Sequence, residues 1–174
     1  MNPIGGINKT QTGFTLIELL LYVAMVGLAV SAISLFLTTL LQVRTKTQNV
    51  SEVELQGAQV MRTITQSIRN SASVNAPAPA QTAGMLSVEM SDSALSPTIF
   101  GQDGTTLTMQ EGSGNPISLT NGRVSVTGLS FKNIARPGTP DIIQVSFSLN
   151  IGSGTSQQEF AYQRIFIGSA ELRK

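Results

Sequence analysis

The sequence Gly13-Phe14-Thr15-Leu16-Ile17-Glu18-Leu19-Leu20 opens the stretch that decides the fold, an apolar run over residues 14–41. Residues 19–41 contain no charged side chain. As a helix they would extend for roughly 35 Å, which is enough to cross a hydrocarbon core of about 30 Å. We therefore expect a transmembrane helix over residues 14–41.

Glu18 is the one ionisable side chain near the start of this run, and a carboxylate in a membrane needs compensation. No Lys, Arg or His lies between residues 14 and 41, so no side chain of the same helix can pair with it. An α-amino group at Phe14 would lie one helical turn away, but it exists only if the chain is cut between Gly13 and Phe14. The alternative is that Glu18 is stabilised only by the unpaired N–H groups and dipole of the first helical turn.

The segment from Gly13 to Leu20 resembles the prepilin signal of type IV pilins and type II secretion pseudopilins. The resemblance implies cleavage between Gly13 and Phe14 by a prepilin peptidase, and N-methylation of Phe14 by the same enzyme. In that family, the glutamate matching Glu18 pairs with the mature N-terminus of a neighbouring subunit during filament assembly. The partners implied are the prepilin peptidase/N-methyltransferase, other pilin or pseudopilin subunits and an inner-membrane assembly platform.

An ordinary secretory signal is a competing interpretation of the same region. Lys9, the apolar residues 14–28 and the small residues Ala29-Val30-Ser31 fit a basic start, an apolar core and a cleavage site. Against it, Glu18 interrupts the apolar core, and apolar residues continue to residue 41. The distribution of Lys9, Arg44 and Lys46 does not fix the orientation, so a C-terminus outside the cell rests on the resemblance.

The composition argues against most catalytic and nucleic-acid functions. The 174 residues include no Cys and no His, which removes thiol chemistry, the commonest general base and the commonest zinc ligand. The acidic residues form no calcium loop, and no dense Lys/Arg patch that could bind nucleic acid occurs. We therefore expect no enzyme, no cofactor and no metal, and nucleic acid is not indicated as a partner.

The absence of proline between Pro3 and Pro77 is compatible with one long helix over residues 15–71, ending between residues 70 and 75. Its second half is amphipathic, with small or apolar residues at steps of three and four. We expect this stripe to pack on the chain's own domain. Its members are Val50, Val53, Gly57, Val60, Met61, Ile64 and Ile68.

The C-terminal part has the alternating pattern and turn residues typical of short β-strands. The clearest prediction is residues 142–151, where apolar and polar side chains alternate, followed by a hairpin loop at 152–156. Residues 91–122 are weakly patterned. The predicted strands are 85–90, 105–110, 116–120, 123–126, 129–134, 142–151 and 158–167.

These patterns predict an α+β fold in which a long N-terminal α-helix packs on a C-terminal antiparallel β-sheet. Its first half would be transmembrane and its second half amphipathic. The expected organisation is a cytosolic prepilin leader (1–13), a transmembrane helix half (14–41), an amphipathic helix half (42–75), a Pro/Ala linker (76–83) and a β-rich domain (84–174).

The functional expectation is a structural subunit of a type IV pilus or a type II secretion-like pseudopilus. It would be a single-pass inner-membrane protein before assembly. Residues 126–131 and 62–68 resemble loosely the minor-pilin or J-type pseudopilin branch. The alternatives are a membrane-anchored exported binding module that enters no filament, and a soluble protein released after Ser31.

Overall fold

The computed structural model describes residues 13–136, 138–152 and 161–173. Residues 1–12 of the predicted leader (1–13) and most of the predicted hairpin loop lie outside these residues. The chain divides into two compact units, one up to Val43 and one from Arg44 onward. The fold is α+β, as predicted, with one long helix followed by antiparallel strands.

Helix α1 spans Leu16–Asn70, within one residue of the prediction at each end. Its buried residues after Arg44 are Asn49, Val53, Gly57, Val60, Ile64 and Ile68. This confirms that the amphipathic stripe packs on the chain's own domain. Val50 and Met61, also placed on the stripe, are only half-buried at its edge.

The described residues after α1 contain nine strands, and these form two antiparallel sheets where the sequence predicted one. The first sheet has the order β1-β3-β4-β5-β6 and the second has the order β2-β7-β8-β9. The strands are β1 (Ser71–Ala76), β2 (Thr82–Ala83), β3 (Leu86–Met90), β4 (Thr98–Asp103), β5 (Thr106–Glu111), β6 (Ile117–Ser118), β7 (Ser125–Asn133), β8 (Ile142–Ile151) and β9 (Tyr162–Glu171).

One apolar core joins the inner face of α1 to both sheets. The first sheet contributes Phe100 of β4 and Leu107 of β5 to this core, among others. The second sheet contributes Phe131 of β7 and Phe147 of β8. The apolar residues of β8 are buried at alternating positions as predicted, because that face of the strand belongs to the core that also contains the inner face of α1.

Both ends of the segment assigned to a helix end and a linker are strands, since Ser71–Ala76 forms β1 and Thr82–Ala83 forms β2. Residues 71–75, predicted as the last residues of the helix half, belong to β1. In the segment 76–83, Pro77 is buried and its carbonyl accepts a hydrogen bond from Asn133 Nδ2 at 3.1 Å. The amide of Ala80 donates to the Asn133 carbonyl at 2.9 Å. Hydrogen bonds to β7 therefore hold this segment against the domain, unlike a linker.

Candidate functional site

Thr15 caps the N-terminus of α1 and places Glu18 in the first turn. The Glu18 amide donates to the Thr15 carbonyl at 3.1 Å and approaches the Thr15 hydroxyl at 3.4 Å. A threonine followed three residues later by glutamate is the capping-box pattern, in which the side chain of the cap satisfies an otherwise unpaired helical N–H. This pattern was present in the sequence, and the prediction did not use it.

The peptide bond between Gly13 and Phe14 lies outside the helix. Neither residue belongs to a regular element, and the Phe14 side chain is 74% exposed. No heavy atom lies within 4 Å of a Cβ built on Gly13. The bond therefore lies before the first helical residue, between two exposed residues.

Glu18 differs in exposure from every residue around it. The structure describes every residue from Gly13 to Gln48, and among them Glu18 alone is partly buried while the others are exposed. Tyr22, one turn further along, is 51% exposed, and its ring lies 6.1 Å from that of Phe14. The sequence prediction did not single out Tyr22, although its four-residue spacing from Glu18 was visible.

Behind Glu18, α1 carries an apolar surface without a partner. The helix is long and apolar enough to cross a membrane. Its most apolar stretch contains no buried residue. The exposed side chains include Leu20, Leu28, Leu35 and Phe36. In water this surface would drive aggregation, so it requires either a bilayer or apolar helices of other chains.

The aliphatic hydroxyls in this surface are satisfied within the helix. Ser31, Ser34, Thr38 and Thr39 each donate to the carbonyl four residues earlier, at distances from 2.6 to 3.0 Å. Such back-bonding removes the cost of placing a hydroxyl in hydrocarbon, because its donor remains paired. Glu18 cannot be satisfied in this way, because a carboxylate is an acceptor and cannot donate to a helical carbonyl.

A second polar feature is an open groove of about 690 Å³ on the domain unit, between α1 and the turn before β7. The Glu52 carboxylate in it accepts hydrogen bonds from Gln56 Nε2 at 2.5 Å and from Asn121 Nδ2 at 2.6 Å. These bonds, Gln56 first, and the nearby charge of Arg123 hold the pKa of Glu52 below its usual 4.5. The bonds tie the turn at residue 121 to α1, which is a structural role.

Within residues 13–136, 138–152 and 161–173, no three His, Cys, Asp or Glu side chains come together in a way that could hold a metal ion. Comparison of the chain with protein-family models, curated proteins and solved structures finds no match. The functional assignment therefore depends on the residues around Glu18.

Proposed function

We propose that this chain is a structural subunit, a minor pilin or pseudopilin, that is processed between Gly13 and Phe14 and assembled into a type IV pilus or type II secretion-like pseudopilus. The observation that carries the proposal is Glu18, a carboxylate in the first turn of a helix whose following surface is apolar and unpartnered. The position of the Gly13–Phe14 bond, between two exposed residues just before that helix, supports processing there.

The proposed mechanism begins with the stored subunit. The first half of α1 anchors the chain in the inner membrane, with the leader in the cytosol and the C-terminal domain outside. A prepilin peptidase removes residues 1–13 and methylates the new amine of Phe14. Cleavage thereby creates a cation within one helical turn of Glu18, where no basic side chain exists.

Assembly then follows from the apolar surface of α1. The inner-membrane assembly platform delivers the subunits to the filament, where their apolar helix halves pack into a bundle. In this bundle each Glu18 is neutralised by an amine at the same height along the filament axis. A slip of one helix by one residue along the axis would separate the Glu18 carboxylate and the amine by about a further 1.5 Å. The ion pair therefore selects the register of the helices and also offsets the cost of burying the carboxylate.

The test is the incorporation of Glu18→Leu into sheared filaments, compared with Glu111→Leu as a matched control. Glu111 lies at the end of β5 in the exported domain, so both variants replace one carboxylate by the same apolar side chain. We expect Glu18→Leu to insert in the membrane at the normal level but to be depleted from filaments, and Glu111→Leu to be incorporated normally.

Recovery of Glu18→Leu in filaments at the wild-type level would contradict the proposal. A chain that is never processed and tolerates Glu18→Leu in its membrane-bound form would instead be a membrane-anchored binding module. Replacement of Gly13 by alanine or a larger residue is expected to block processing and leave the precursor in the membrane.

A further inference from the structure

Phe14, Glu18 and Tyr22 follow each other at steps of four residues, and Glu18 lies between the two aromatic residues. Positions four apart on an α-helix lie on the same face, one turn above the other. Phe14 precedes the helix by two residues, so its side chain has more freedom than that of a helical residue. The three side chains thus share one side of the N-terminus of α1.

The two rings meet across the turn that carries Glu18. Their centroids lie 6.1 Å apart and their planes are inclined by 66°, which is an edge-to-face pair. Eight helical residues would span about 12 Å along the axis, so the two side chains must lean toward each other. Helical side chains lean toward the N-terminus, which brings Tyr22 over the turn of Glu18.

The exposure of the residues agrees with this placement. Leu16 and Ile17, which precede Glu18 in the same turn, are 80% and 76% exposed, whereas Glu18 is partly buried. A charged side chain is therefore less exposed than its apolar neighbours, and the other described residues from 13 to 48 are all exposed. The ring pair gives a local reason, because it lies on the same face as Glu18.

We propose that Tyr22 is a positioning residue: its ring holds Phe14 back over the turn of Glu18, so that after processing the new amine stays paired with the carboxylate of its own subunit until assembly. This inference rests on the proposed cleavage between Gly13 and Phe14. The ring pair fixes the first residue of the processed chain, and the carboxylate beneath it receives the amine from the same chain.

The proposal is tested on the processed subunit, purified as a monomer in detergent, where no neighbouring subunit can supply an amine. The measurement is the rate at which an acylating reagent labels the Phe14 amine at a series of pH values, followed by mass spectrometry of the N-terminal peptide. Only the neutral amine reacts, and pairing with Glu18 raises its pKa and slows labelling.

We expect Tyr22→Leu to speed labelling at about pH 7 by about threefold or more, which corresponds to a fall of half a pKa unit or more. Tyr22→Phe keeps the ring and should leave the pH profile unchanged. Phe36→Leu, at another exposed aromatic residue of the same helix, is the matched control for loss of ring surface alone.

A double substitution separates positioning from simple shielding of the amine. In a Glu18→Gln background the amine has no carboxylate partner, so Tyr22→Leu should have little further effect on its pKa. The same shift in both backgrounds would overturn the proposal, as would superimposable profiles for wild type and Tyr22→Leu. Retention of residues 1–13 in the purified chain would overturn the proposed function as well, and the mass of the protein distinguishes that failure from the others.

Discussion

At the scale of single residues, Gly57 determines how closely α1 approaches the second sheet. A Cβ built on Gly57 would lie 2.0 Å from Cζ of Phe166, far inside the contact distance of two carbon atoms. Phe166 is held in turn by a stacked contact with Phe147 at 5.4 Å and by the guanidinium of Arg164 at 5.6 Å from its ring centroid. The ring therefore has little room to move away.

We predict that Gly57→Ala destabilises the domain by about 1 kcal/mol. Overpacking of this kind costs about 1–3 kcal/mol, while alanine gains about 1 kcal/mol over glycine in helix propensity. Urea unfolding followed by circular dichroism measures the difference. Gly101→Ala, where nothing lies within 4 Å of the added Cβ, is the control. A more stable Gly57→Ala protein would mean that propensity outweighs the contact with Phe166.

Glu52 gives the domain a dependence on pH in the acidic range. Hydrogen bonds from Gln56 and then Asn121, together with Arg123, lower the pKa of its carboxyl below 4.5 in the folded state. Its contribution to stability is present above the unfolded-state pKa and is lost as the pH falls through the lower folded-state pKa. Between about pH 6 and pH 3, wild type should lose more unfolding free energy than Glu52→Gln. Parallel losses in the two proteins would show that this network contributes nothing.

At the scale of elements, α1 is attached to β9 by a polar cluster at the edge of the core. The Glu54 carboxylate accepts a hydrogen bond from the Tyr162 hydroxyl at 3.0 Å and forms an ion pair with Arg164. The hydrogen bond from Arg164 to Glu54 is the main cause that raises the pKa of the guanidinium. The Arg164 side chain is 51% exposed, so solvent screens the pair substantially.

A double-mutant cycle of Glu54→Gln and Arg164→Gln should therefore give only the small coupling typical of solvent-exposed ion pairs. The coupling should decrease when salt is raised from about 0.1 M to 1 M, because the Debye length shortens from about 10 Å to 3 Å. The measurement is urea unfolding of the four proteins at both salt concentrations. A coupling that does not respond to salt would contradict the screened, surface character of this pair.

The elements that the sequence predicted well are those with long, regular periodicity. Helix α1 and strand β8 agree with their predictions because a three-to-four period and a strict alternation each persist over many residues. The segments 123–126 and 129–134 were predicted as two strands but form one, β7, with a shift of register after Thr127. Gly128 has a φ of 64° there, and this bulge disrupts the alternation that marks a strand.

Two strands with weak apolar patterns, β1 and β4, were missed although their pairing partners lie nearby in the chain. No strand was predicted at β4, although Thr98 and Phe100 are buried, because Gly101, Gln102 and Asp103 weaken its apolar pattern. Residues 71–76 carry too little apolar periodicity to indicate β1, which is fixed by its pairing with β3. The separation into two sheets depends on long-range pairing that local patterns do not encode.

At the scale of the whole molecule, the chain consists of two units, of which one buries its apolar side chains and the other exposes them. The core of the unit from Arg44 onward is complete in itself, with both sheets and the inner face of α1 contributing. The described residues of the other unit, 13–43, expose apolar side chains along the helix. This division at Arg44 falls three residues after the end of the predicted transmembrane half.

We predict that a fragment of residues 44–174 folds without detergent. Its core residues are those already buried within the unit, so removal of residues 1–43 takes away no core side chain. Size-exclusion chromatography should give a monomer, and thermal unfolding followed by circular dichroism should be cooperative. A fragment that is unfolded or that aggregates would show that the first half of α1 is needed for the fold.

For the candidate site, the sequence alone identified Gly13, Phe14 and Glu18, because one carboxylate in an uncharged apolar run is conspicuous. The cap by Thr15 was visible in the sequence as a capping-box pattern but was not used. The ring pair of Phe14 with Tyr22 emerged only from the structure, because it depends on where the helix begins.

The central claim is that Glu18 depends on an amine made by cutting before Phe14. The most direct measurement is the intact mass of the protein extracted from membranes of cells that carry the prepilin peptidase. The account predicts the loss of residues 1–13 and the gain of one methyl group on Phe14. A mass that retains the leader, or that corresponds to cleavage after Ser31, would contradict it.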